Sequence, residues 1–168
     1  QDDAEFPSSG WYLRGSHRQY LPEWGSDTDG HASRVDANVA FEAARGRWQL
    51  GLSAQDRRGD AFEHVALLGG PFRLSGYGVD ALRGDGALLA ALQYSYPFAQ
   101  VLDYPLFFGG SLEAGQLWRG GIGPDRERVI VGGSLFTALD SPLGPVYFGV
   151  GLAEGGEQTL FFRLGQPE

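Results

Sequence analysis

Eight segments of this chain alternate large apolar residues with small or polar ones, each over about ten positions. They fall at about 10–20, 33–44, 47–56, 86–97, 106–118, 128–140, 145–154 and 157–165. Strand side chains point to opposite faces with period two, so each segment splits into two faces. Val35, Ala37, Val39 and Phe41 oppose Asp36, Asn38, Ala40 and Glu42. Phe108, Leu112 and Ala114 oppose Gly109, Ser111, Glu113 and Gly115, while Val146, Phe148, Val150 and Leu152 oppose Tyr147, Gly149, Gly151 and Ala153. No window carries a helical pattern. Strands of soluble sheets cluster near 5–6 residues, whereas a tilted membrane-crossing strand takes about 9–11.

Two barrels use such a pattern, with opposite faces turned inward. A soluble lipocalin-like barrel encloses the Leu, Val and Phe face. An outer-membrane barrel turns that face to lipid and packs the small polar face inside. Eight strands leave an interior that side chains just fill. Trp11, Trp48, Tyr94, Tyr96, Phe107, Trp118 and Tyr147 fall near segment ends, as interfacial aromatic girdles do. The connections alternate as well. Leu21–Ala32, Arg57–Asp85 and Arg119–Glu127 are long, and Phe98–Pro105 is moderate. Arg45–Arg47 and Ser141–Gly144 are turns, and Glu154-Gly155-Gly156-Glu157 is short on the long-loop side. Long extracellular loops opposite short periplasmic turns are the habit of membrane barrels.

Composition removes several function classes. The 168 residues hold no Cys, which excludes disulfides, cysteine-ligated zinc and thiol catalysis. The basic residues are all Arg, and the net charge of −8 opposes binding to a nucleic-acid backbone. No apolar run approaches the ~18 residues of a membrane helix. With no Met in the chain, Gln1-Asp2-Asp3-Ala4 reads as a mature terminus after signal-peptide removal or as an engineered boundary.

The long connection at about 57–85 contains Gly69-Gly70-Pro71-Phe72-Arg73-Leu74-Ser75-Gly76-Tyr77. A connection of this length inside a compact domain points to function. This stretch resembles the signature loop of the bacterial surface-antigen, BamA-type outer-membrane superfamily, closest to the barrels that follow patatin-like phospholipase domains. Gln93-Tyr94-Ser95-Tyr96-Pro97, Leu112-Glu113-Ala114-Gly115, Ser141-Pro142-Leu143-Gly144-Pro145 and Leu160–Gly165 resemble later family elements in the same order. The likeness covers about residues 33–165 and matches only the C-terminal half of the family's larger barrels, without N-terminal domains.

The resemblance implies that the loop folds back into the lumen. The loop motif is then Gly69, Gly70, Arg73, Leu74, Ser75, Gly76 and Tyr77, with Gln93, Glu113 and Arg163 as lumen partners. The family's loop Arg is Ser75 here, with Arg73 two positions earlier. Its strand acid is Glu113, and the acid one strand before is Gln93. An Arg73–Glu113 pair is one expectation, because a buried charge needs a partner. Pairing of Glu113 with Arg163 or Arg14 is the other.

Candidate chemistry is sparse. No Gly-x-Ser-x-Gly elbow occurs, since Gly follows neither Ser111 nor Ser134 at the required distance. His17, His31 and His64 fall near or in the long loops, where a base for a lipid-modifying Ser/His/Glu hydrolase would sit, or simply an exposed imidazole. Ser26-Asp27-Thr28-Asp29-Gly30-His31 lacks the closing Glu of a calcium loop. Gly120-Gly121-Ile122-Gly123 follows no strand-to-helix unit. Arg57, Arg58, Arg119, Arg126 and Arg128 are placed to meet lipopolysaccharide phosphates.

The expectation is therefore an all-β, eight-stranded antiparallel transmembrane β-barrel over residues 10–168, behind a flexible segment 1–9. It is placed in the outer membrane of a Gram-negative bacterium, non-enzymatic, without catalytic residue, metal or cofactor. Its expected partners are outer-membrane lipids, lipopolysaccharide and a second copy in a homodimer, with no nucleic acid. A weak apolar face on the first segment (Trp11, Leu13, then Gly15, His17, Gln19) motivates the dimer.

Overall fold

In the computed structural model, residues 9–24, 29–59, 65–119, 129–141 and 144–165 are described. The chain is an antiparallel meander. Strands β1 (Gly10–Tyr20), β2 (Gly30–Ala43) and β3 (Gly46–Gly59) lead into the long connection, which carries β4 (Ala66–Leu68) and β5 (Leu82–Gly84). There follow β6 (Gly86–Val101), β7 (Tyr104–Trp118), β8 (Val129–Ser141), β9 (Gly144–Ala153) and β10 (Gln158–Leu164). Eight strands form one sheet in the order β1-β2-β3-β6-β7-β8-β9-β10, and β4 with β5 makes a small ribbon of its own. Among the described residues, β1 and β10 are the two edges and do not pair with each other.

The alternation places the large residues on one face. Trp11, Leu13, Val35, Val39, Leu50, Leu52, Leu112, Leu135, Phe148, Leu152, Leu160 and Phe162 are all exposed, Trp11 at 78% and Leu160 at 75%. The opposite, inner face holds Gln55, Gln93, Ser95, Ser111, Glu113 and Ser134, all buried. It is buried because the long connection lies on it. The sheet curls around that connection, for Phe72 and Arg73 share a cleft with Tyr12 of β1 and Asp36 of β2, while Thr159 of β10 bonds Ser75.

One boundary departs from the sequence reading. The moderate loop expected at Phe98–Pro105 is instead a two-residue turn, Leu102–Asp103, between strands that continue on either side. Both turn residues have positive φ, 50° and 68°, the backbone that fits the twist of a tight hairpin. Pro97 lacks an N–H, and a register shift between Pro97 and Ala99 absorbs the missing bond. Ala44 and Arg45 make the same kind of turn between β2 and β3. Both hairpins lie at the turn end of the sheet, and the long connections lie at the other, the loop end.

Candidate functional site

The residues between β4 and β5 form a folded tongue. Gly69 N–H donates to Arg73 C=O at 2.8 Å, and Arg73 N–H returns a bond to Gly70 C=O at 3.0 Å. Gly70 N–H reaches Tyr77 C=O at 3.1 Å. Phe72 and Leu74 sit at φ 64° and 73°, a left-handed backbone that bulky residues adopt only when their surroundings compel it. Those surroundings are three side-chain anchorages.

The first is polar. Glu113 on β7 is 2% exposed. Its carboxylate accepts from Ser75 N–H at 2.5 Å, from Ser75 Oγ–H at 2.6 Å and from Ser111 Oγ–H. Ser111 Oγ in turn lies 2.7 Å from Ser134 Oγ on β8. Ser75 Oγ accepts from Phe72 N–H at 2.8 Å, and Thr159 Oγ1 on β10 donates to Ser75 C=O at 2.5 Å. Every polar atom of Ser75 is thus bonded. A buried carboxylate with three donors is compensated without a counter-cation, which a lone buried charge would require.

The second is aromatic. Phe72 meets Phe136, Tyr147 and Phe161 edge to face, with centroids 5.2, 5.3 and 5.7 Å apart. Phe107 closes the same cluster. Edge-to-face pairs add about 0.5–1.5 kcal/mol each beyond burial. Phe72→Ala is therefore expected to destabilise the fold by about 3–5 kcal/mol, read as a lowered urea midpoint of tryptophan fluorescence. An unchanged midpoint would show that the tongue tip carries no packing energy.

The third is close approach. Gly115 lies against the Leu74 and Leu68 side chains, and Gly132 against Leu74 Cα. A Cβ on Gly151 would fall inside the Ser75 carbonyl, and one on Gly76 would fall inside the Ala153 backbone. The glycines of β7, β8 and β9 are thus a trough cut to the depth of the tongue.

These contacts distribute the motif residues. Gly69 and Gly70 shape the turn, Leu74 is fully buried beside Leu68 and Ala66, and Tyr77 Oη donates to Glu154 C=O at 3.2 Å. Arg73 does not reach Glu113. Its guanidinium donates to Leu67 C=O at 2.9 Å, so the expected Arg73–Glu113 pair is replaced by the Ser75–Glu113 bonds. Neither Arg163 nor Arg14 takes that place. Burial, with Arg34 adding, lowers the Arg73 pKa from its ordinary value. Arg163 is half-buried opposite Tyr147 in the β9–β10 register. Gln93 bonds the Tyr147 side chain and lines a cleft of about 70 Å³ with Phe72, Arg73, Tyr12, Asp36 and Asn38.

Sequence reasoning weighed Ser111 and Ser134 only as nucleophiles, and it singled out neither Thr159 nor the Phe72 cage. Their signal was the run of small residues on one face of β7, β8 and β9. Of the arginines assigned to lipopolysaccharide, Arg119 bonds Arg83 C=O at 3.2 and 3.0 Å, and Arg58 lies 3.5 Å from Asp56. Arg126, Arg128, His64, Ser26-Asp27-Thr28, Gly120–Gly123 and residues 1–8 lie outside the described residues. Among the described residues no cluster of His, Asp and Glu is of the kind that holds a metal ion. No protein-family model matches the chain, and no curated protein matches it.

Proposed function

We propose that this chain is an outer-membrane β-barrel of a Gram-negative bacterium, related to the bacterial surface-antigen superfamily, with its own tongue as plug. It acts in membrane organisation or lipid remodelling. The observation that carries this reading is the exposed apolar face of the sheet. A soluble lipocalin-like barrel turns that face inward, whereas here the inner face is polar, glycine-rich and occupied by the tongue. In water such an outer face far exceeds the apolar patch of an ordinary soluble protein, and in lipid it is the expected surface.

A plugged lumen leaves no continuous water path, which disfavours a porin role. Nor is the Glu113–Ser111–Ser134 network a reaction centre. It lies under the tongue, and its hydroxyls are committed to the latch. The free edge of β1, exposed through its first ten residues, supports the homodimer. Unpaired strand edges are not left to hydrocarbon, so β1 must meet β10 of its own chain or a strand of a second copy.

The test is a cold SDS gel of chain refolded in detergent, unheated and boiled. A fully paired barrel resists SDS until heated, so a heat-dependent shift is expected, with the unheated band near twice the monomer mass. A band at monomer mass would remove the dimer. No shift, with solubility in plain buffer, would overturn the membrane reading and favour a soluble barrel.

A further inference from the structure

On the outer face, away from the tongue, the strand registers set His17, Ser33, Asp56, Gly86 and Trp118 side by side in one row across β1, β2, β3, β6 and β7. His17 Nδ1 lies 2.9 Å from Ser33 Oγ. The adjacent row toward the loop end holds Gln19, His31 and Arg58. His31 Nε2 lies 3.2 Å from Asp56 Oδ2, and Arg58 Nε lies 3.5 Å from the same oxygen. The two imidazole centroids are 6.2 Å apart.

The height of this cluster decides what it meets. The next row toward the turn end is Gly15, Val35, Ala54 and Leu88, where the apolar face begins. The Ser33 row is thus the upper border of the apolar band. On a membrane barrel the edge of that band meets the boundary between hydrocarbon and headgroup. That boundary is where the acyl esters of a lipid leaflet lie. A hydroxyl within hydrogen-bond reach of an imidazole is the minimal nucleophile and base, and on an outward strand face it needs no elbow to expose it.

We infer that Ser33 and His17 form an ester-hydrolysing pair facing the membrane, with an acyl ester of a membrane lipid as substrate. This rests on the membrane reading above and departs from the expectation of a non-enzymatic chain. Ser33 Oγ adds to the ester carbonyl carbon while His17 Nδ1 takes its proton. The tetrahedral adduct collapses, the bond from carbon to the alcohol oxygen breaks, and His17 returns the proton to that oxygen. Water then adds to the acyl-Ser33 ester, giving its proton to His17. The bond to Ser33 breaks and Oγ recovers the proton. One water is consumed, and one alcohol and one carboxylic acid leave. The carboxylate of Asp56 is held by His31 and Arg58 rather than by His17, so the pair acts as a serine–histidine dyad.

The test uses the refolded full chain, checked by its heat shift, with mixed micelles of phosphatidylethanolamine and phosphatidylglycerol in one arm and lipopolysaccharide in the other. Free fatty acid is measured by mass spectrometry. A fluorophosphonate, which traps an activated serine as its phosphonate ester with loss of fluoride, is mapped to its peptide. Fatty acid release is expected in at least one arm, which identifies the lipid, together with labelling of Ser33. Ser33→Ala and His17→Ala are each expected to lower release by about 100-fold or more. Both positions are on the outer face, outside the tongue's anchorages, so both variants are expected to keep the heat shift. Release unchanged by Ser33→Ala, or a folded protein with neither release nor label, overturns the proposal. A chain without heat shift that still takes the label at Ser33 removes the membrane reading and leaves the pair standing.

Discussion

Glu113→Ala is expected to release the tongue from the sheet. The carboxylate takes bonds from Ser75 N–H, Ser75 Oγ and Ser111 Oγ, and its loss strands three buried donors at once. Each unmet buried donor costs about 1–3 kcal/mol. The hydroxyls can rotate toward each other, because Ser134 stands beside Ser111, but the Ser75 amide cannot. A net loss of about 3–5 kcal/mol follows. In micelles this reads as a lower urea midpoint and as tryptic cleavage after Arg73, a bond that the seated tongue protects. Glu113→Gln keeps one acceptor oxygen and is expected to fall between the two. A Glu113→Ala protein with parental midpoint and protease resistance would show that the polar latch does not hold the tongue.

Gly151→Val is expected to do more damage than any exposed substitution, through backbone rather than through charge. The added Cβ would occupy the place of the Ser75 carbonyl, which Thr159 also engages. No rotamer relieves a clash with backbone, so either β9 or the tongue must move, and overpacking of this kind costs about 1–3 kcal/mol or more. The expected outcome is displacement of the tongue, seen as faster tryptic cleavage after Arg73 than in the parent and, on the proposed membrane barrel, as stepwise ion conductance in planar bilayers where the parent gives none. Gly15→Ala is the matched control. Nothing stands within 4 Å of its new methyl, and such surface changes stay within about 0.5 kcal/mol. A Gly151→Val protein that stays closed and resists trypsin would mean that the trough tolerates a side chain.

The strands were legible because their signal is local. Period-two alternation interrupted by Gly, Pro and Asp needs no knowledge of the fold, and the eight segments coincide with the eight strands of the main sheet to within a few residues. The exceptions have equally local causes. Pro97 and Pro105 read as the ends of a loop, yet the strands pass through them, one by a register shift and one near the hairpin end. Strands β4 and β5 are three residues each, too short for any alternation to register.

The candidate sites were legible only as inventories. The tongue and Glu113 were named together, but the atom that joins them is the Ser75 hydroxyl, not the Arg73 guanidinium. Positive φ at Phe72 and Leu74 turns the backbone on both sides of Arg73, and the side chain leaves toward Leu67. Charge makes a pair plausible, while backbone direction decides whether it forms. His17 and Ser33 are 16 residues apart in sequence and carry no motif that links them. Only the β1–β2 register brings them opposite each other.

By itself the sequence determined the strands and the division of each into a large apolar and a small polar face. These depend on side-chain volume, polarity and spacing along one chain. Tertiary structure alone decided how deep the tongue lies and that a serine latches it. It also placed a hydroxyl beside an imidazole at the border of the apolar band. Those are distances between strands, and strand pairing sets them through hydrogen bonds that every residue makes alike whatever its side chain.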